Sequence, residues 1–260
     1  MRGSRWVRHV RAPLAGLLLA GLVLVAVPAD DSSPATVRTT GQSVLGTASL
    51  PLRVMPLGAS STAGVGSPGT AGYRGPLYAD LAGDGIRVDF VGSQRTGPAG
   101  MADPDNEGHS GWTLQRMIPQ TRAWVAEADP YVVLLHMGTN DVNTGSSGAT
   151  TAARLDQLIS EVYAGSPRTH VIVAGIWAAL PTHLGDRAEL ARLTPGVVAR
   201  HRALGRSIEF VDTSTLLSAT DFTDALHANA SGYSKIATMW TTEITGWLAA
   251  RRAAPIAPTS

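Results

Sequence analysis

Short aliphatic and β-branched runs alternate along this chain with stretches of helical period, and that alternation constrains the fold more than any other feature. The runs LRVMPL (Leu52 to Leu57), IRVDFVG (Ile86 to Gly92), YVVLLHMG (Tyr131 to Gly138), HVIVAGI (His170 to Ile176) and IEFVD (Ile208 to Asp212) read as five strands. The third is apolar on both faces, as the centre of a parallel sheet requires. Helices are expected over Arg74 to Gly85, Thr113 to Ala128, Thr150 to Ala164, around Leu190 to Leu204, and from Ser231 to Ala250. In the first of these Leu77, Tyr78 and Leu81 share a face; in the second Leu114, Met117, Ile118 and Val125 do. Pro119 in the second marks a kink or the helix's true start.

Strands joined through helices imply right-handed βαβ units and a parallel sheet covered on both sides. The expected fold is therefore α/β: a three-layer α/β/α sandwich with a five-stranded parallel sheet, flavodoxin-like. A chain of 260 residues suffices for one such domain. A net charge of +1 with 16% charged residues argues against a nucleic-acid footprint and against an acidic disordered tail. Arg2, Arg5, Arg8 and Arg11 precede the apolar run Leu14 to Val27, and VPAD then offers a small-residue cleavage point after Ala29. Residues 1–29 read as a signal peptide, 30–50 as a flexible linker, 51–250 as the folded domain and 251–260 as a disordered tail. The expectation is export as a monomer, with no stable membrane association after cleavage; the competing reading of 1–29 is an uncleaved anchor. With no cysteine, the exported domain relies on its core rather than on disulfides.

In an open parallel sheet ligands bind beyond the carboxyl ends of the strands, which selects three segments: GASST, GTND and the loop leading to DALHANASGY. A serine hydroxyl needs a base, and the base needs a third group to fix its tautomer. Of seven histidines, His9 lies in the leader and His136 within a strand, the latter as a core or subsite residue. His170 and His201 suit packing or solvated roles, His183 sits in a Pro-flanked loop, and His109 and His227 remain. His227 is the better base because Asp224 precedes it by three residues, with Asp221 the second choice of carboxylate. A bland alternative makes Asp224 an ordinary turn residue ahead of a helix. Asn140 could point its amide into the same cleft, and the glycine-rich EGHSGWT (Glu107 to Thr113) suits the presentation of a backbone N–H. No metal, nucleotide or redox cofactor is implied by any spacing.

The blocks GASST, EGHSGWT, GTND and DALHANASGY, in this order, resemble the SGNH (GDSL-type) hydrolases from about Leu52 to Trp247. VDFVGSQRTGP and DNEGHSGWT are most similar to carbohydrate esterase family three, the acetyl xylan esterases and their relatives. The resemblance implies Ser60 as nucleophile, His227 as base and Asp224 as its partner. It implies oxyanion donors from the Ser60 backbone, the Asn140 side chain and a glycine N–H, Gly111 or alternatively Gly108. Three departures stand out: Ala59 where the family has Asp, Ser61 where an apolar residue or cysteine is usual, and Ala228 where proline is common. The missing Asp braces the serine turn in the family, and Ser61 is a candidate to take over part of that bonding. The implied function is a secreted serine esterase removing acetyl groups from plant polysaccharide such as acetylated xylan, with Trp112, Tyr73 and Trp177 as sugar-stacking or core aromatics. The alternatives are a broad lipase or aryl esterase, and a non-catalytic carbohydrate-binding relative.

Overall fold

The computed structural model describes residues 50–67, 71–177 and 182–253. The expected leader and most of the linker lie outside the described residues, as do 254–260 of the tail. The strands are β1 (Leu52–Gly58), β2 (Val88–Phe90), β3 (Gln94–Arg95), β4 (Asp105–Gly108), β5 (Val132–His136), β6 (His170–Ala174) and β7 (Ile208–Val211). The helices are α1 (Ser60–Ala63), α2 (Arg74–Gly83), α3 (Leu114–Ala128), α4 (Thr139–Asn143), α5 (Gly148–Gly165), α6 (Leu184–Ala203) and α7 (Ala230–Ala253).

The five expected strands are present and parallel, in the order β2-β1-β5-β6-β7. The sheet has seven strands rather than five, because β4 pairs in parallel with the last two residues of β1 and β3 pairs antiparallel with β4. Both additions are short and polar (QR and DNEG), so they lack the apolar run by which a strand is recognised. Pro119 neither starts nor ends its helix; α3 begins five residues earlier, at Leu114. α6 begins at Leu184, ahead of the expected Leu190, and α7 runs to Ala253, into the expected tail.

Alternate residues of each central strand enter opposite cores, as a pleat of period two requires. Met55, Leu57, Val133, Leu135, Val171 and Val173 face α3, α5 and α6. Leu52, Val54, Val132, Leu134, Ile172 and Ala174 face α2 and α7, where Trp240 and Tyr233 are fully buried. This is the expected α/β/α sandwich. Among the described residues no helix is long and apolar enough to cross a membrane.

Strand register sets up the site. Gly58 at the end of β1 pairs with His136 at the end of β5 on one side and with Gly108 at the end of β4 on the other. Three of the four blocks therefore leave the sheet side by side at one level. Glycine at 58 is required by crowding: a Cβ there would overlap Thr62 Oγ1 and stand 2.8 Å from the His136 carbonyl oxygen.

Candidate active site

The chain leaves β1 through Ala59 and turns at once into α1, which places Ser60 at the first helical position with only 8% of its surface exposed. Ala59 is the N-cap and supplies no side-chain hydrogen bond. The structure holds this turn from other directions. Arg74, fully buried on α2, donates from Nε to Thr62 O at 2.9 Å and from Nη2 to Ala63 O at 3.4 Å, so it caps the last carbonyls of α1. The same guanidinium reaches Thr96 O at 2.7 Å and Pro104 O at 3.0 Å beside the β3–β4 hairpin. Thr62 Oγ1 meets the Tyr73 hydroxyl at 3.2 Å, and the Ser61 side chain hydrogen-bonds the phenol of Tyr233. Tyr233 in turn donates to Val65 O at 2.5 Å.

His227 is carried on the loop between β7 and α7. Its Nε2 lies 3.1 Å from Ser60 Oγ, and its Nδ1 lies 2.9 Å from Asp224 Oδ2. The other Asp224 oxygen accepts the backbone N–H groups of Leu226 and His227, both at 2.7 Å, so the carboxylate shapes the loop that it also orients. These bonds, that to the imidazole foremost, lower the Asp224 pKa to about 2. Thr223 N–H donates to His227 O at 2.9 Å, and Thr223 Oγ1 donates to Gly66 O at 3.0 Å. Gly66 has a φ of +92°, and a Cβ there would come within 2.7 Å of His227 Cβ, so glycine lets the two loops touch. Asn229 Oδ1 accepts the Gly232 N–H at 3.1 Å and caps the start of α7. Asp221, the second-choice carboxylate, is engaged elsewhere: it accepts from Lys235 at 2.7 Å, from Ser218 and from Ser231.

Asn140 lies on α4, just past β5, and lines one recess together with Ala59, Ser60, Ser61, Trp112 and His136. One N–H of its amide donates to Trp112 O at 2.8 Å. Its neighbour Asp141, fully buried, accepts the first N–H of α3 from Leu114 at 2.8 Å and pairs with Arg154 at 3.2 Å. Burial pushes the Asp141 pKa up, opposed by these two donors. The turn His109 to Trp112 closes by Trp112 N–H to His109 O at 3.1 Å, with Gly111 exposed at a φ of +78°. The alternative glycine, Gly108, is buried against α1, and its N–H already donates to Asn106 Oδ1 at 2.8 Å. Of the two, Gly111 has the N–H free of protein acceptors among the described residues.

His136, read as a core or subsite residue, is buried at the end of β5 and lines the recess; burial lowers its pKa to about 3, and its ring stacks at 3.4 Å on Trp177. Tyr73 and Trp177 are buried core aromatics, so of the three candidate sugar platforms Trp112 alone lines this recess. His170 and His201 are buried and paired with Glu209 and Asp156, and His183 precedes α6. His170 also bridges Ser207 Oγ at 2.9 Å and Glu209 at 3.0 Å, a second serine–imidazole–carboxylate row. That row sits at the amino-terminal ends of β6 and β7, away from the carboxyl-end loops that carry Gly111 and Asn140. Among the described residues no three His, Asp or Glu side chains gather as a metal site. Arg74 lies outside the four blocks, whereas Glu107, His109 and Asp141 lie within them but receive no role from the resemblance; all four organise polar contacts at this edge.

Residues 57–235 match the model of the GDSL-like lipase/acylhydrolase family. The chain belongs to that family. Membership places it among carboxylic ester hydrolases, as the four blocks imply. It is similar to a solved family 3 carbohydrate esterase of Clostridium thermocellum, with 32% identity and a TM-score of 0.69 over 77% of this chain and 98% of the other. A structure of an acetyl esterase mutant with acetate ion is 25% identical, with a TM-score of 0.63 over 76% of this chain and 98% of that one. A multidomain esterase of Ruminococcus flavefaciens is 27% identical over 76% of this chain, and a putative endoglucanase X of Acetivibrio thermocellus is 30% identical over 49% of it. The chain spans 29% and 58% of the lengths of those two relatives.

Two predictions follow from these contacts. Replacing Arg74 with Met strands four backbone carbonyls and is expected to cost roughly 3 kcal/mol in chemical denaturation, while Arg74→Lys recovers part of that; an unchanged midpoint for Arg74→Met would remove its bracing role. Because the Asp224 pKa falls from 3.8 to about 2 on folding, its contribution to stability is complete above about pH 4 and is lost as pH falls through 2. Asp224 thus stays ionised between pH 7 and 5, and Asp224→Asn is expected to lower kcat roughly 10²- to 10⁴-fold across that whole window. An Asp224→Asn enzyme with kcat within about twofold of the wild type in that window would contradict this.

Proposed function

We propose that the protein is a serine esterase that hydrolyses short-chain, chiefly acetyl, esters on plant polysaccharide such as acetylated xylan, through an acyl-enzyme on Ser60. The observation that carries the reading is the continuous row Ser60 Oγ, His227, Asp224 at 3.1 and 2.9 Å, with Ser60 and Asn140 lining one recess. His227 Nε2 takes the Ser60 proton as Oγ bonds to the ester carbonyl carbon. The carbonyl π electrons move onto oxygen, which accepts from the Ser60 and Gly111 N–H groups and from the second N–H of Asn140. As the tetrahedral species collapses, the C–O bond to the sugar breaks and His227 returns the proton to the leaving hydroxyl. Water then adds to the acyl carbon with His227 as base, and acetate leaves with Ser60 restored. Asp224 fixes the imidazole tautomer and balances its charge while it holds the extra proton.

Support for the substrate comes from the likeness to a family 3 carbohydrate esterase and to an acetyl esterase, and from Trp112 at the recess. The Arg-rich start and the apolar run to Val27 support export with cleavage after Ala29. Against the non-catalytic reading, which rested on Ala59, stand the bonds of Arg74 to Thr62 O and of Tyr233 to Val65 O, which brace the segment after Ser60 without an acid at 59.

The test pairs the wild type with Ser60→Ala on p-nitrophenyl acetate and acetylated xylan. The wild type should release acetate from both, with kcat at least about 10³-fold above the variant. Equal rates for the two proteins would end the esterase reading, and activity confined to lipid-like or aryl esters would end the polysaccharide one.

A further inference from the structure

Glu107, next to last in β4, is a carboxylate with no exposed surface that the proposed chemistry does not use. It accepts the Ser93 N–H and Oγ–H, each at 2.7 Å, and His109 Nε2–H at 2.5 Å. The His109 ring lies between two indoles, 4.3 Å from Trp112 at 25° and 4.6 Å from Trp124 at 14°. On the Trp112 indole the Arg116 guanidinium sits 4.1 Å from the ring centre. The His109 backbone is tied to the Ser60 strand by its N–H to Gly58 O at 2.9 Å. Its carbonyl accepts from Trp112, whose own carbonyl accepts from Asn140 Nδ2.

These contacts form one chain of command. An asparagine amide rotates freely unless one of its groups is held, and here the held group is the N–H on Trp112 O. The direction of the second N–H therefore follows from where that carbonyl lies. The carbonyl is placed by the turn at 109–112 and by the indole, and the indole rests on His109. His109 cannot swing away without leaving the buried Glu107 short of a donor, which is costly in a low-dielectric site. We infer that the Glu107–His109 pair is a positioning device for the oxyanion hole, acting through Trp112 on the Asn140 amide. The inference rests on the proposed role of Asn140 as an oxyanion donor. His109 and Glu107 are positioning residues in this account; neither touches the ester.

A double-mutant cycle on p-nitrophenyl acetate tests it. His109→Phe keeps a ring between the indoles and removes the bond to Glu107; it is expected to lower kcat roughly 10- to 100-fold with KM changed less than about twofold. In an Asn140→Ala background, where no amide remains to be aimed, the same substitution should lower kcat by less than about twofold. An equal fold-loss in both backgrounds, or a His109→Phe enzyme with wild-type kcat, overturns the inference. Should His109→Phe fail to fold, Glu107→Gln, close in shape, takes its place in the cycle with the same two outcomes. Full activity in Asn140→Ala alone would instead overturn the oxyanion reading on which the inference stands, so the two failures are separable.

Discussion

The hydrogen bond of 3.1 Å between Ser60 Oγ and His227 Nε2 joins residues 167 positions apart, and most of the architecture at the carboxyl edge of the sheet serves to make it. Ser60 follows β1, whereas His227 follows β7 at the far edge, with β5 and β6 between them. Their loops must cross that distance, touch and stay aligned to within a few tenths of an ångström. Contact is allowed by the bare backbone of Gly66 and secured by Thr223 and Tyr233, which bond to the carbonyls of Gly66 and Val65. Asp221, bonded to Lys235 and Ser231 of α7, ties the base of the His227 loop to its helix.

Buried charge recurs around this contact, and in each case it organises backbone. Arg74 holds four carbonyls, Asp141 holds the opening N–H of α3, and Glu107 holds Ser93 and His109. A buried ion costs several kcal/mol in lost hydration, so each such group must find its bonds in one arrangement or destabilise the fold. That makes them poor sources of net stability and strong restraints on geometry. Esterase chemistry needs the restraint, because donors must be aimed before charge develops on the ester oxygen.

The central strands and five main helices were legible because each carries an apolar pattern of sufficient length. β3 and β4 are polar and α1 and α4 have four and five residues, too short for periodicity to register. The Asp224–His227 pair could be read because its spacing is local, and its placement after the last strand joined it to Ser60. Arg74, Glu107 and His109 could not be read in this way. The partners of Arg74 lie on other strands and loops and are mostly backbone carbonyls, which leaves no motif. Glu107 and His109 are two residues apart, but that spacing does not reveal the burial of the one or the two indoles that enclose the other. The Ala59 departure shows the same limit: with the acid gone, the brace comes from α2 and α7, through Arg74 and Tyr233, and Ser61 contributes by its bond to the Tyr233 phenol.

The central claim, that Ser60 is the one serine activated by His227, is tested most directly by labelling with a fluorophosphonate and locating the adduct by intact mass and peptide mapping. The account predicts one adduct per chain, on Ser60 and not on Ser61 or Ser207, formed at least about 10²-fold more slowly in His227→Ala. Labelling at another serine, or at a rate indifferent to His227, would contradict it.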